Sequence, residues 1–429
     1  MGQVYCDTCP EIGSIQCELW PDACAACWDT CVDRPWHRRA GGRIGPAPYH
    51  DPNVGDYTLS KTVGVAQIAY SEAWQSYQPA MQHSFTTAEL FDELAYHGIR
   101  AVRLWLTVPY WDGVEYPDGT LNPNPIFEDM REVWEHPNID TIMVILTDYA
   151  HTGVEVDCDG NTTMTWINDP VEKFARFMFE NFPDQDKTVI IANTETDNQW
   201  RGFRCFEPDE MIWDSIPPAD VEECLAEFTK EECVVKFSKW RMDYAIRQVE
   251  KRQRIVQQVR AEYPNAKLRL RTSMTTSVFS AANAKKKFLG MYALSKVMSM
   301  KWKPDYIGIS HWQGSNMTIL QAIAYVRRAT WYPPNRLIID QIGSNDRRNG
   351  RQYDVITSKT HDSWDAGANL VLVWIWKETW RRPVGGSLKD ESKGLWDILC
   401  EAPDPWCGWG DPKSGLWAVY ELNEEAQEE

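Results

Sequence analysis

Two apolar, β-branched runs in this chain end in residues that could do chemistry together. Ile190-Ile-Ala-Asn-Thr-Glu195 ends in a carboxylate, and Ile338-Ile-Asp-Gln-Ile-Gly343 ends in a polar pair. Two acids held at strand ends, one protonating a departing oxygen and the other attacking carbon, suit double displacement at an anomeric centre. Glu195 supplies one acid. The second position holds Gln341, which has the shape of Glu without its charge or nucleophilicity. Asp340 is the rival carboxylate, because strict strand alternation allows only one of the two to face inward. Glu195 also has a plainer reading, as a rim carboxylate paired with Arg201 or Arg204.

Such residues need a frame, and the chain repeats one. Short β-rich runs alternate with polar loops and amphipathic helices from about residue 60 onward. The runs are Thr62–Ile68, Ala101–Thr107, Thr141–Thr147, Thr188–Asn193, Lys267–Thr272, Tyr306–Ser310, Leu337–Ile342 and Leu370–Ile375. Helices are expected over Thr86–His97, over Asp169–Asn181 behind an Asp-Pro start, and over the charged stretch Cys233–Tyr263. Eight strand–helix units point to an α/β protein of the (β/α)8 TIM-barrel class. An open doubly wound sheet is the competitor, but no Gly-x-Gly-x-x-Gly follows the first run. The distance between the fourth and fifth strands is too long for one unit. Its excess, Gln199–Glu232, reads as a long functional loop inserted between the fourth strand and the helix that follows it.

In a barrel, polar residues at the carboxyl ends of strands are the informative ones. Here they are Arg103, Asp148, Tyr149, His151, Asn193, Glu195, His311, Trp312, Asp340, Gln341, Trp374, Trp376 and Glu378. This set resembles the retaining (β/α)8 glycoside hydrolases of clan A, a clan that includes cellulases, mannanases and xylanases. The resemblance spans roughly residues 60–395 and rests on the order of several short motifs. It implies that Glu195 is the acid/base, that position 341, ahead of Ile342-Gly343, is the nucleophile slot, and that Arg103 and His311 support that slot. It further implies a sugar-platform role for Trp376 or Trp374. Asp148, Tyr149, His151, Asn193 and Trp312 are the remaining substrate-binding candidates. The chain departs from the clan where Thr194 separates Asn193 from Glu195, and again at Gln341, which predicts a chain inactive as written. For Asp148, His151 and His311, purely structural roles stand beside these.

Composition narrows the partners. A formal net charge of −18 argues against nucleic acid, which demands clustered Lys and Arg. The 22 tryptophans exceed what a core of this size needs, and loop tryptophans offer flat faces to sugar rings. No apolar run is long enough for a membrane span. Six of the twelve cysteines crowd the start (Cys6, Cys9, Cys17, Cys24, Cys27, Cys31). The others include the short-range pairs Cys224/Cys233 and Cys400/Cys407, with Cys158 and Cys205 a further pairing. Disulfides in an oxidising compartment are the expectation, hence a secreted protein whose leader is absent from this chain. A zinc site from Cys6, Cys9, Cys24 and Cys27 is the alternative.

Three segments result: a Cys-rich extension at 1–55, the barrel at 56–395, and a C-terminal segment at 396–429 ending in a solvated acidic tail. The expected activity is endo-acting hydrolysis of a polysaccharide without metal or cofactor, by a monomer. A non-catalytic carbohydrate-binding protein on the same scaffold is the second reading. A barrel metallohydrolase is a third, weakened by the lack of His-x-His after the first strand.

Overall fold

A computed structural model describes residues 56–66, 87–107, 127–128, 130–147, 171–192, 218–276, 293–312, 317–343, 351–374, 381–384, 387–390 and 415–428. All eight expected strands are present: β1 (Thr62–Val65), β2 (Ala101–Thr107), β3 (Thr141–Thr147), β4 (Thr188–Ala192), β5 (Arg269–Thr276), β6 (Tyr306–Trp312), β7 (Leu337–Gly343) and β8 (Leu370–Val373). Each pairs in parallel with its successor, and β8 returns to β1, so the sheet closes into a barrel. The helices are α1 (Thr87–Tyr96), α2 (Arg131–Glu135), α3 (Val171–Asn181), α4 (Pro218–Glu227), α5 (Lys230–Glu262), α6 (Ile319–Thr330), α7 (Arg351–Asp365) and α8 (Gly415–Glu428). A helical stretch at 293–297 lies between β5 and β6, so every strand is followed by helix. A small antiparallel hairpin, β9 (Arg381–Val384) with β10 (Ser387–Asp390), follows β8.

Alternation along the strands divides their side chains between two cores. Ala101, Met143, Ile145, Ile190, Ala192, Ile338, Leu370 and Leu372 form the inner one. Val102, Leu104, Ile142, Val144, Val189, Ile191, Ile339 and Val371 pack with the helices in the outer one. At Gly64 a Cβ would lie 2.1 Å from the Ala101 carbonyl oxygen, so the approach of β1 to β2 requires glycine. Helix α6 starts on a capping box, Thr318 with Gln321.

Two expectations change. The terminal segment is not a solvated tail, because α8 closes the ring of helices after β8. Leu416, Ala418, Val419 and Leu422 are buried, while Glu424, Glu425 and Glu428 lie on the opposite face. Asn423 clamps β1: its Oδ1 accepts from Val63 N (2.8 Å) and its Nδ2 donates to Val63 O (3.0 Å). The acids masked an amphipathic period that packing against β1 and α7 makes clear. The second change lies in the stretch 199–232, expected to be a loop. Its latter part is helix α4, clipped to the start of α5 by the Cys224–Cys233 disulfide. The other ten cysteines lie outside the described residues.

The amino end of the barrel is sealed by a polar network. Asp305, just before β6, accepts from Thr272 N (3.0 Å), Gln253 Nε2 (3.1 Å) and Arg260 Nη1 (3.4 Å). Arg336 donates to the Asp305 and Pro304 carbonyls and lies between the rings of Tyr57 and Tyr332. Tyr306 donates its hydroxyl to the Tyr57 carbonyl.

Candidate functional site

The geometry of the carboxyl-side half starts from an irregularity in β7. Ile338 pairs with Gly308, but Gln341 pairs with Ser310, so three residues of β7 oppose two of β6. The same extra residue shows against β8, where Ile339 pairs with Val371 and Ile342 with Val373. A bulge of this kind suspends alternation locally. Ile338 lies in the inner core, Ile339 and Ile342 in the outer one, and the two residues between them both reach Arg103. Asp340 and Gln341 therefore do not compete for the interior, as strict alternation required. Both occupy it.

Arg103 on β2 is the centre of the cluster and is fully buried. Its Nε donates to the Ala66 carbonyl (2.7 Å), just past β1. Its Nη1 donates across the barrel to the Asp340 carbonyl (3.2 Å) and to Asp340 Oδ2 (3.1 Å). A guanidinium can only donate, so the Gln341 amide turns its oxygen toward it. That oxygen accepts from Nη1 (3.0 Å) and Nη2 (2.7 Å). The amide nitrogen then faces Ser310 Oγ on β6 at 3.4 Å. Thr275 on β5 donates its hydroxyl to Asp340 Oδ2 (2.8 Å). The Trp374 ring, following β8, lies 5.7 Å from the guanidinium carbon. Side chains from β2, β5, β6 and β7 thus meet in one place, with the β8 indole beside them. Removing Arg103 and Asp340 from water is costly, and the hydrogen bonds around them offset that cost.

Two roles were open to His311, support of position 341 and a structural one, and its described contacts are structural. Its neighbour Ser310 faces the interior, and the imidazole instead donates from Nε2 to the Met317 carbonyl (2.8 Å), ahead of α6. Burial, and secondarily the Lys359 ammonium, pull its pKa down to about 4, against the weaker opposing effect of its hydrogen bonds. It is neutral at pH 7 and makes no hydrogen bond to Gln341 among the described residues, so no charge from it supports position 341. Lys359 on α7 donates to the His311 carbonyl (2.9 Å), and its own burial lowers its pKa to about 8.

Ser310 and Thr275 were absent from the residues singled out in the sequence. The signal for Thr275 lay in the length of β5, which continues through Ser273-Met-Thr-Thr276 instead of stopping at Thr272. Trp312 is the last residue of β6. Asp148, Tyr149, His151, Asn193, Glu195 and Trp376 lie outside the described residues. In the chain, Asp148 directly follows β3 and Asn193 directly follows β4. Among the described residues, no group of three or more His, Cys, Asp or Glu could hold a metal ion. Nor is any described helix long and apolar enough to cross a membrane.

No family model and no curated protein matches the chain. Solved structures do resemble it at low identity. An apo β-glucosidase designated 1317 is 13% identical with a TM-score of 0.48, over 86% of this chain and 98% of that one. A β-glucosidase from Thermotoga maritima in complex with glucoimidazole is 10% identical with a TM-score of 0.47, over 87% and 98%. A GH5_18 protein from Streptomyces cattleya in complex with GlcNAc is 13% identical with a TM-score of 0.47, over 87% and 82%. Likeness this distant carries no functional conclusion. The barrel assignment rests on the chain's own strand pairing.

Proposed function

We propose that this barrel is a retaining glycoside hydrolase scaffold acting on a polysaccharide, in which position 341 is the nucleophile slot and Glu195 the acid/base. The observation that carries the reading is the grip of Arg103 on side chain 341. A cation from β2 holds the residue near the carboxyl end of β7, inside a closed parallel barrel, by two hydrogen bonds. Glu is isosteric with Gln, so a carboxylate at 341 would accept the same two bonds and be aimed the same way. It would attack the anomeric carbon while Glu195 protonates the departing oxygen; Glu195 would then activate water to release the glycosyl–enzyme. Retention of configuration calls for the two carboxyl groups to stand about 5–5.5 Å apart. Asp148, Tyr149, His151, Asn193, Trp312 and Trp376 are assigned to holding the saccharide.

With Gln341 the slot binds and orients without attacking. The second reading, a saccharide-binding barrel without turnover, is favoured by one feature: the Arg103 charge already has a carboxylate in Asp340. The deciding experiment pairs a glycan array on the chain as written with a polysaccharide panel on Gln341→Glu, following product anomers by NMR. Turnover with retained configuration, abolished by Glu195→Gln, is the expected result. Glycan binding by both forms without turnover selects the second reading, and neither binding nor turnover overturns both.

A further inference from the structure

Asp340 and residue 341 are neighbours in sequence, and the β7 bulge brings both to one guanidinium. Arg103 Nη1 lies 3.1 Å from Asp340 Oδ2 and 3.0 Å from the Gln341 oxygen. Two oxygens so close to one nitrogen stand within about 6 Å of each other, a range at which like charges in a dry pocket interact strongly. Asp340 and Arg103 are fully buried and Gln341 nearly so, which removes the water and salt that would screen them. The described groups facing the pair are Thr275 from β5, Ser310 from β6 and the Trp374 ring after β8, all neutral. Among the described residues of this cluster, Arg103 and Asp340 are the charged ones.

We propose that Asp340 is a positioning residue that occupies the charge of Arg103, so that positions 340 and 341 together carry one negative charge. An acid placed at 341 shares that charge with Asp340 and does not add a second. Gln341 fits such a site: it accepts from Arg103 and brings no charge to be compensated. Two carboxyl groups on one cation in a buried pocket behave as a coupled pair, one of them keeping its proton well above the ordinary carboxylate range. The inference rests on position 341 being the nucleophile slot only in its consequence for catalysis. Its test uses no saccharide, so the two can fail separately.

The experiment compares four full-length chains, the parent, Gln341→Glu, Asp340→Asn and the double variant, by thermal unfolding between pH 4 and 8. Where the native acid holds its proton more tightly than the unfolded one, stability is lost as pH rises from about 4.3. Gln341→Glu is expected to lose stability relative to the parent across that window. In the Asp340→Asn background the sign reverses: the acid introduced at 341 becomes the carboxylate paired with Arg103, and it adds stability as pH rises. The titration of that acid then differs between the two backgrounds by about one pH unit or more. A merely structural Asp340 would shift all curves equally at every pH, and that result overturns the proposal. If Asp340→Asn does not fold alone, rescue by Gln341→Glu is the expected outcome. If neither chain carrying Asp340→Asn folds, the single variant decides, because stability rising with pH for Gln341→Glu defeats the inference. Should Gln341→Glu hydrolyse a saccharide, the acid limb of its rate profile moves down by a similar amount on Asp340→Asn.

Discussion

The amino end of the barrel holds Asp305 against Arg260 at 3.4 Å, while the carboxyl-side half holds Asp340 against Arg103 at 3.1 Å. Both pairs are buried, yet their hydrogen bonds go to different places. Around Asp305 they mostly involve backbone: Thr272 N donates to its carboxylate, Arg260 reaches the Leu270 carbonyl, and Arg336 reaches the Asp305 and Pro304 carbonyls. The buried rings of Tyr57, Tyr306 and Tyr332 close over them. Around Arg103 two bonds also end on backbone, at the Ala66 and Asp340 carbonyls, but the others reach side chains, the Asp340 carboxylate and the Gln341 amide. The first network staples β5, β6, α5 and the turn before β7 together, and the second orients one group near the carboxyl end of β7. Identical residue types therefore serve stapling or orientation according to where the remaining donors point.

The sharpest way to break this contrast is Arg103→Met. It strands the Asp340 carboxylate in a pocket closed to water, at a cost of about 3–5 kcal/mol in urea unfolding. A loss below about 1 kcal/mol would mean that Arg103 is not the counter-ion.

Next in size is an acid effect at His311. Its native pKa of about 4 lies below the unfolded value of 6.5, so the unfolded chain takes the proton first. The stability from a neutral His311 is complete above pH 6.5 and is lost as pH falls toward 4, on the order of 3 kcal/mol. His311→Gln should flatten that part of the pH–stability curve; an unchanged curve would place the imidazole in water.

Thr275→Val comes third, removing one hydrogen bond to a buried carboxylate for about 1.5–3 kcal/mol. It should also weaken any saccharide binding at the Gln341 site, whereas an equivalent loss at the amino end should not. The smallest effect is expected from Arg260→Met, about 1–2 kcal/mol, because Asp305 keeps Thr272 N and the Gln253 amide. If Arg260→Met costs as much as Arg103→Met, the distinction between the two ends fails.

Much of the frame was legible in the sequence because alternation and β-branching repeat at βα spacing, and all eight runs are strands within a few residues. Errors arose where polarity and packing disagree. Ser273-Met-Thr-Thr276 reads as a loop, but its side chains are buried in β5. The acids of 421–428 read as a tail, but Leu422 and Asn423 dock α8 onto β1. In the site, Arg103 and Gln341 were identifiable as polar residues in apolar strands. Their contact depends on the curvature of a closed sheet, which no local pattern encodes.

Local periodicity by itself determined the alternation of strands and helices, the apolar faces and the presence of an amide at the end of the seventh strand. Only the closed tertiary structure decided that Asp340 and Gln341 both reach Arg103, and that His311 turns away toward Met317. The reason is physical. Strand periodicity follows from steric constraints within a few residues, whereas a bulge and a buried ion pair are set by neighbours on other strands, far away in sequence.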